Sequence, residues 1–444
     1  MDTKSKIRSW IEVNPVKIII LTGIFTRVLI AVLYQHITLY PDSADYVNLA
    51  GCILQFDFAK YGGERSPGYP LLLAATNISC LFTVILQSAS GIASLILAYK
   101  TALTIGINKK ASLFAALGLS CYIPIVFFEF AILPETLTLF TITVIFYLYF
   151  FICSGKSEIF YNRLLIIACS LLVLIKPFYI FLPVLLFVFL FFNRITKREV
   201  LFKYIGVAII PIALFLGWSY VNKVNTGHFA STTFYGFNLA QNCVSFAEKT
   251  TPEYAEIGHI YSMYRDGAGS DKEIAMTIWE AEPELREKTG LSFPDLSAKL
   301  YDYSMATIKE NPAGYLKQVF ISWRDFWKTS LYWEHDSVAV PHAGDVILYV
   351  CYAERIILQL IKILFVLLIP YNIIRTVKEK KLSPSFIISG IVLATSILQA
   401  LITYGTNSRF SFPFELLIVL SVAANWVSFG KRSSRAGFDT SVSN

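Results

Sequence analysis

Residues 40–73 read YPDSADYVNLAGCILQFDFAKYGGERSPGYPLLL, and this stretch organises the interpretation of the whole chain. It opens with two carboxylates, Asp42 and Asp45, and closes with an acid–base pair, Glu64 and Arg65, in front of the rigid sequence Ser-Pro-Gly-Tyr-Pro. Long apolar blocks precede and follow it. Because charged groups are costly close to a membrane, we take this stretch as a candidate functional loop at a membrane surface.

The composition is that of a membrane protein. Of the 444 residues, 55% are hydrophobic and 16% are charged, whereas a soluble domain carries roughly 25% charged residues. The apolar residues fall in blocks long enough to cross a bilayer. The fold class is therefore predicted to be an all-α polytopic membrane protein with about 10 transmembrane helices, at about 20 residues per helix.

The predicted spans follow from these apolar blocks. Eight of them cover residues 16–34, 78–105, 111–128, 134–153, 204–221, 346–369, 386–404 and 412–429. Two shorter spans are predicted within residues 164–192, with a turn at Lys176-Pro177. The turn is expected there because proline breaks a helix and lysine adds a charge.

The chain is predicted to have four parts. Residues 222–344 contain no span-length apolar run and form a mainly helical extracytoplasmic domain, called the polar domain below. Within it, apolar residues at helical spacing in 311–332 predict a helix that lies on the membrane. The remaining parts are an N-terminal transmembrane module (1–221, with its first outward loop at 37–77), a C-terminal transmembrane module (345–429) and a disordered cytoplasmic tail (430–444).

Lys and Arg residues predict the orientation. Alternate links between spans carry most of them, whereas the short links on the opposite side carry only Lys60, Arg65, Lys176 and Arg409. By the positive-inside rule both termini are cytoplasmic, and the loop at 37–77 lies outside together with the polar domain. The same rule accounts for the net charge of +7, so nucleic acid is not an expected partner. The scattered cysteines do not suggest a metal–thiolate site.

Asp42 and Asp45 are the candidate catalytic pair. If Pro41 opens a short helix, positions three apart share a face, and both carboxylates can point into one cavity. A carboxylate placed there can act as a general base, because it can accept a proton from an attacking hydroxyl or amine. The alternative is structural: Asp42 or Ser43 caps a helix that begins at Ala44.

Three outward cations form a candidate phosphate site. The prolines after Arg65 leave its backbone little freedom, and a guanidinium held at the membrane surface suits a phosphate diester. Lys176 and Arg409 complete the predicted site. The alternatives are an ion pair between Arg65 and Glu64, contacts with lipid headgroups, and snorkelling of each cation to the interface.

Glu135 stands at the start of the fourth predicted span. A glutamate at a helix N-terminus is favoured by the helix dipole, which is one explanation for it. The other is a second carboxylate that faces Asp42 or Asp45 and orients the attacking group, or that holds a divalent cation with Asp45. Glu129 is a further outward charge. The histidines of the polar domain, which lack metal-like spacing, are His228, His259, His335 and His342.

In this order, the motifs resemble those of the integral-membrane glycosyltransferases of the GT-C class, in particular the branch with the protein O-mannosyltransferases and the aminoarabinose lipid A transferases (families 39 and 83). The matching stretches are Asp-x-x-x-Tyr-x-x-x-Ala from Asp42, Glu-Arg-x-Pro-Gly-Tyr-Pro at 64–70, Pro-Glu-Thr-Leu at 134–137, Lys-Pro at 176–177 and Arg-Phe-x-x-Pro at 409–413. The likeness covers about the whole transmembrane part. The polar domain matches in position and size only.

The resemblance implies that a sugar moves, with inversion, from a polyprenyl-phosphate-linked donor to a lipid, glycan or protein acceptor. It places this reaction at the outer face of a bacterial-type inner (plasma) membrane, in the modification of a cell-envelope glycan such as lipopolysaccharide or a cell-wall glycan. It implies Asp42 as the base, Arg65 at the donor phosphate with Lys176 and Arg409 in support, and substrate-orienting roles for Glu64, Tyr46, Tyr69 and Glu135. No cofactor is implied with certainty, and a divalent cation is the one considered.

Two departures from the family pattern leave the base and the sugar open. The chain has Arg-Ser-Pro where some members have Lys-Pro-Pro, and Asp-x-x-Asp where they have Asp-Glu. Asp42 and Asp45 therefore both stay candidates for the base.

Other classes of protein remain alternatives. A flippase or transporter for lipid-linked saccharides explains the spans and charges but not the large polar domain, and we find no inverted repeat of the kind many transporters have. A non-enzymatic assembly subunit does not need charged groups at Asp42 and Arg65. Among enzymes, a glycan polymerase or ligase is the nearest alternative, although such ligases usually lack a carboxylate pair in the first outward loop.

Overall fold

The structure is a computed structural model, and it describes residues 14–59, 61–155, 159–193 and 203–441. These residues contain no β-strand, only an isolated bridge between Thr38 and Ala131. The predicted all-α polytopic fold is confirmed. Lys60, which the orientation argument used, lies outside the described residues.

The described residues form twenty α-helices. They are α1 Pro15–Tyr34, α2 Pro41–Gln55, α3 Gly68–Ala75, α4 Cys80–Thr104, α5 Lys109–Cys121, α6 Ile123–Glu129, α7 Glu135–Cys153, α8 Ile159–Ile175, α9 Phe181–Asn193, α10 Gly206–Thr226, α11 Tyr235–Gln241, α12 Ala255–Gly267, α13 Asp271–Glu280, α14 Glu282–Thr289, α15 Phe293–Glu310, α16 Pro312–Phe326, α17 Ala343–Glu379, α18 Pro384–Ile402, α19 Asn407–Ser411 and α20 Glu415–Ser441.

The long apolar helices make this a multi-pass membrane protein. In the described part of the chain, seven helices are long and apolar enough to cross a membrane, and an eighth span is counted if α5 and α6 are taken together. The predicted short spans correspond to α8 and to the apolar segment Pro177–Phe192, and both are shorter than the seven helices counted as spans. The turn between them lies at Lys176-Pro177, where the sequence predicts it.

The third predicted span is not one straight helix. Helices α5 and α6 meet at an angle of 56°. The break follows from Pro124, because proline has no N–H for the hydrogen-bond ladder of α5 and is tolerated in the first turn of a helix, so a new helix starts there after the extended backbone of Tyr122. The N–H of Ile123, at the start of α6, donates to Glu354 Oε2 on α17 at 2.9 Å.

The polar domain is built from helices α11 to α16 and has its own apolar core. Phe237, Tyr261, Ile278 and Leu300 are each fully buried in it. Its last helix, α16, packs on the membrane helix α18, as the hydrogen bond from Tyr315 OH to the carbonyl of Leu401 at 2.8 Å indicates.

The C-terminal helix is longer than the sequence predicts. Helix α20 continues to Ser441, past residue 430, where a disordered tail is predicted. The two glycines in this segment, Gly430 and Gly437, each lower helix stability by only about 1 kcal/mol, and no proline follows to end the helix.

Candidate active site

Helix α2 carries the first two candidate residues. It begins at Pro41, and the N–H of Tyr40 donates to Ser43 Oγ at 2.9 Å. Tyr40 therefore occupies the N-cap position. The alternative in which Asp42 or Ser43 caps a helix from Ala44 is wrong, because the helix starts earlier.

Arg65 joins both carboxylates of α2. Its Nη2 donates to Asp42 Oδ1 at 2.8 Å and to Asp45 Oδ2 at 3.0 Å, and its Nε donates to Asp45 Oδ2 at 3.1 Å. One guanidinium reaches both groups because positions three apart share a helix face. Among the described residues these two, and not Glu64, form the ion pairs of Arg65.

The polar domain closes over this guanidinium. The Arg65 side chain lies between two aromatic rings, with its Cζ 4.7 Å from the centroid of Tyr46 and 4.4 Å from that of Phe234. Phe234 belongs to the polar domain, and the neighbouring Thr232 Oγ1 donates to the carbonyl of Glu64 at 2.6 Å. The loop and the domain therefore share one wall of the site.

The loop after Arg65 is held against the end of α8. Ser66 Oγ donates to the carbonyl of Ile175 at 2.9 Å. At Gly68 the two backbones approach so closely that a Cβ there would lie 2.5 Å from the Ile175 nitrogen. Only glycine fits this contact, and the contact fixes Arg65 close to Lys176, the residue after α8.

Arg409, on the short helix α19, connects the loop to the membrane helices. Its Nη1 donates to Asp42 Oδ2 at 2.9 Å, and its Nε donates to Glu135 Oε1 at 2.8 Å. On the other side, Lys176 Nζ donates to the same Glu135 oxygen at 2.8 Å. Glu135 is therefore paired with two cations, so its position at a helix N-terminus is not the whole explanation for it.

Six predicted site residues thus form one chain of alternating charges, called the six-charge network below. In order of contact they are Asp45, Arg65, Asp42, Arg409, Glu135 and Lys176. They come from four separate parts of the sequence, and their formal charges sum to zero. The snorkelling alternative fails for the three cations, because each is paired with a buried or half-buried carboxylate.

The three carboxylates of the network differ in solvent exposure. The side chains of Asp45 and Asp42 are 37% and 31% exposed, whereas that of Glu135 is fully buried. Burial acts to raise the pKa of Asp42, but Arg409 and Arg65 outweigh it and hold that pKa well below its ordinary value. Burial raises the pKa of Asp45, and Arg65 only partly opposes this effect. The two carboxylates therefore differ in basicity.

The other predicted substrate-orienting residues lie beneath Arg65 or beside it. Tyr46 is 6% exposed and packs edge-on against Tyr69, at 5.1 Å between ring centroids. Tyr69 is fully buried, and its OH donates to Gln87 Oε1 at 3.0 Å. The Glu64 carboxylate folds back on the backbone of Gly62. In this arrangement Tyr69 supports the site from below and is not open to a substrate.

A divalent cation does not fit the carboxylates as they are arranged. Asp45 and Glu135, the candidate metal ligands, are bound by Arg65 and by Arg409 with Lys176. Within the described ranges no group of three or more His, Cys, Asp or Glu side chains could hold a metal ion. We therefore derive no chemical step through a metal.

The remaining outward charge and the histidines lie elsewhere. Glu129 pairs with Arg27 at 2.5 Å, both buried between membrane helices. His228 contacts Asp295, and His335 contacts Asp336 and Asp345.

Sequence reasoning missed the aromatic residues that cover the cations. Besides Phe234, the ring of Tyr332 lies 5.5 Å from Arg409 Cζ, and the ring of Phe410 lies 5.6 Å from Lys176 Nζ. Phe410 belongs to the quoted Arg-Phe motif, so a signal existed for it. Phe234 and Tyr332 have no such signal, because only the fold brings the polar domain to the loop.

The fold and the site together define a multi-pass α-helical membrane protein with a charged, aromatic-lined site at the ends of its helices. No family model and no characterised protein sequence matches the chain.

Among solved structures the chain is similar to the oligosaccharyltransferase of Archaeoglobus fulgidus. A crystal structure of that enzyme tethered with an acceptor peptide has 12% identity and a TM-score of 0.49, and the match covers 95% of this chain and 50% of that one. A structure of that enzyme in complex with an inhibitory peptide and a dolichol-phosphate has 12% identity and a TM-score of 0.47, and the match covers 97% of this chain and 52% of that one. A structure in complex with Zn and sulfate has 13% identity and a TM-score of 0.49, and the match covers 97% of this chain and 51% of that one. The chain thus spans about half the length of these proteins.

Proposed function

We propose that the protein is a GT-C-type glycosyltransferase that moves a sugar, with inversion, from a polyprenyl-phosphate-linked donor to an acceptor at the outer face of the membrane. The observation that carries the proposal is the position of Asp42 between the guanidiniums of Arg65 and Arg409. The assignment to the GT-C class in this proposal rests on the resemblance of the sequence motifs. The inner membrane and cytoplasmic termini belong to the same proposal, as does a lipid, glycan or protein acceptor.

The donor phosphate would take the place of the Asp42 carboxylate. A phosphate diester offers two acceptor oxygens, as a carboxylate does, and guanidinium groups bind both kinds of anion through paired N–H donors. Negative charge grows on the phosphate as the sugar–oxygen bond breaks. Arg65 and Arg409 would stabilise that charge in a site with fixed donors, with Lys176 in support.

Asp42 is the proposed base. Once a phosphate binds both guanidiniums, the carboxylate loses the two partners that hold its pKa low. It can then take the proton of the acceptor hydroxyl or amine. The acceptor atom bonds to the anomeric carbon from the opposite face, and the electrons of the broken bond go to the leaving phosphate.

Asp45 is the second candidate for the base. Among the described residues its hydrogen bonds to Arg65 use only Oδ2, and burial raises its pKa. A carboxylate with a raised pKa is the stronger base. Because Arg65 leaves Oδ1 of Asp45 unused, this assignment needs no rearrangement.

The polar domain would cover the cavity and select the acceptor. Phe234 stacks on Arg65, and Thr232 and Thr233 bind carbonyls of the loop, at Glu64 and Gly62. Because the polar domain contacts the loop that carries Arg65, its own loops are in a position to select the acceptor.

The test is sugar transfer by the purified full-length protein from radiolabelled polyprenyl-phosphate sugars to a membrane lipid extract. Wild type is compared with Asp42→Asn, Asp45→Asn and Arg65→Ala, and Asp302→Asn on the polar domain serves as a control for removal of a carboxylate. Transfer that is lost with Asp42→Asn and survives Asp45→Asn supports the proposal, and the reverse result moves the base to Asp45. Donor binding without transfer, unaffected by either change, would favour the flippase alternative.

A further inference from the structure

A groove outside the six-charge network lies between α16, the last helix of the polar domain, and the membrane helix α17. Its volume is about 330 Å³. The residues that matter for its chemistry are Trp323, Arg324, Trp327, Lys328, Ile363 and Leu367.

One wall of the groove is aliphatic and faces outward from the helix bundle. Ile363 and Leu367 of α17 are 49% and 68% exposed. They continue a row of exposed aliphatic side chains along a helix long and apolar enough to cross the membrane. Hydrocarbon chains are the natural neighbours of such a face.

We place the other wall near the lipid headgroups from its distance to the end of α18. Trp323 Nε1 donates to Ser396 Oγ at 3.1 Å, and Ser396 stands six residues before the end of α18 at Ile402. At a rise of about 1.5 Å per residue this is about 9 Å from the helix end. Amphipathic helices bury their apolar face to about 5–10 Å, at the headgroup–acyl boundary.

The rim of the groove carries one net positive charge. Arg324 and Lys328 are 59% and 58% exposed, and both pair with Asp325, at 3.2 Å and 2.7 Å. One carboxylate shared by two cations leaves a charge of +1, which matches the single negative charge of a phosphate diester.

A buried donor in the groove also lacks an acceptor. Trp327 is 8% exposed, and its indole N–H has no hydrogen-bond partner among the described residues. A buried donor without an acceptor is unfavourable. Nε1 itself has almost no exposed surface, so in this proposal the indole turns slightly toward the groove when a headgroup oxygen accepts from it.

We propose that this groove binds an anionic glycerophospholipid of the surrounding bilayer, such as phosphatidylglycerol. Its phosphate lies at Arg324 and Lys328, and one acyl chain runs along Ile363 and Leu367. Bulk phospholipid surrounds any membrane-spanning helix, and the groove residues are not part of the six-charge network. The inference does not depend on the proposed function.

The lipid site is connected to the six-charge network by Lys362, which lies on the floor of the groove. Its Nζ donates to the carbonyl of Lys328 at 3.1 Å and to Ser411 Oγ at 2.9 Å. Ser411 is on the same short helix as Arg409. An occupied groove therefore steadies the segment that positions Arg409.

The experiment titrates the detergent-solubilised full-length protein with phosphatidylglycerol and, separately, with phosphatidylcholine, and follows binding by native mass spectrometry and the thermal unfolding midpoint. Arg324→Gln/Lys328→Gln removes the two rim charges. Lys272→Gln/Lys309→Gln, on exposed positions of the same domain, removes the same number of charges elsewhere. Trp327→Phe keeps the ring and removes the N–H.

We expect wild type and the Lys272/Lys309 variant to bind phosphatidylglycerol more tightly than phosphatidylcholine. The rim variant should bind phosphatidylglycerol roughly tenfold or more weakly, because each cation close to a membrane surface attracts anionic lipid. Trp327→Phe should weaken binding less. Equal binding of the two lipids by wild type, or an unchanged preference in the rim variant, would overturn the proposal. A preference for polyprenyl phosphate over phosphatidylglycerol at these cations would overturn the assignment to bulk phospholipid.

Discussion

Arg65 Cζ lies 4.4 Å from the centroid of the Phe234 ring, and this contact is where the polar domain meets the first loop. A cation over an aromatic face is worth about 0.5–2 kcal/mol, depending on how far it is desolvated. The ring also limits the directions in which the guanidinium can turn. Phe234 is therefore a positioning residue for Arg65 in the proposed reaction.

Phe234→Ala is expected to lower kcat/KM for transfer by roughly 2- to 30-fold, the rate equivalent of that contact. Phe234→Tyr should retain most of the activity, because it keeps the ring. Phe320→Ala, which removes an exposed ring from the same domain, is the matched control. If Phe234→Ala and Phe320→Ala behave alike, the ring does not position Arg65.

Gly68→Ala is expected to destabilise the protein, because its Cβ would lie 2.5 Å from the backbone nitrogen of Ile175. Forcing atoms into such a contact costs about 1–3 kcal/mol. The thermal unfolding midpoint measures the loss, and it does not require an activity assay. Gly51→Ala is the matched control, since a Cβ there meets nothing within 4 Å, and alanine in that helix should be neutral or stabilising by up to about 1 kcal/mol. Equal unfolding midpoints for the two variants would mean that the loop at Gly68 can shift away from α8 without a loss of stability.

Much of the site could be predicted because a membrane makes charge conspicuous. Asp42, Arg65, Lys176 and Arg409 stand out in an apolar sequence, and the alternation of spans puts them at the same ends of their helices. Sequence spacing could not show that Glu135 is the carboxylate shared by two of these cations, because this depends on how α7, α8 and α19 pack.

Other features were missed for different reasons. Phe234 is one aromatic among many, and only the packing of the polar domain brings it to Arg65. Lys362 carried a signal that the sequence reasoning did not use, because it is a charge inside a predicted span. The bend before Pro124 carried one too, since proline disfavours a continuous helix.

The pH dependence of transfer distinguishes the two carboxylates. In the free protein Arg409 and Arg65 overcome the effect of burial and hold the pKa of Asp42 below its ordinary value, which is about 3.9. A base must be deprotonated, so with Asp42 as base kcat/KM should stay level as the pH falls to about 4. Arg409→Gln removes one cation and should move the acid limb to higher pH.

Arg286→Gln is the control for that experiment, because it removes an exposed cation of the polar domain that belongs neither to the six-charge network nor to the groove, and it should leave the profile unchanged. An acid limb in wild type that lies above the ordinary carboxyl range, and that disappears in Asp45→Asn, would assign the base to Asp45. That position follows from the burial that raises the pKa of Asp45.

Lys362 and Glu415 form an ion pair of 2.8 Å between α17 and α20, with side chains 0% and 1% exposed. Removing one partner leaves the other charge buried and unpaired, which costs about 3–5 kcal/mol. Lys362→Met and Glu415→Gln are each expected to lower the thermal unfolding midpoint strongly. Replacing both, as Lys362→Met/Glu415→Leu, should restore much of it, because two apolar groups leave no charge to solvate.

The pair of Arg286 and Glu282 on α14 is the control for this comparison. The two residues lie one helical turn apart with a distance of 3.3 Å between their charged atoms and with side chains 49% and 19% exposed, and such pairs contribute about 0–1 kcal/mol. Arg286→Gln should therefore change the midpoint little. If the double change at Lys362 and Glu415 is as harmful as the sum of the single changes, the two charges contribute through separate partners. Ser411 would then be the partner through which Lys362 acts on the Arg409 helix.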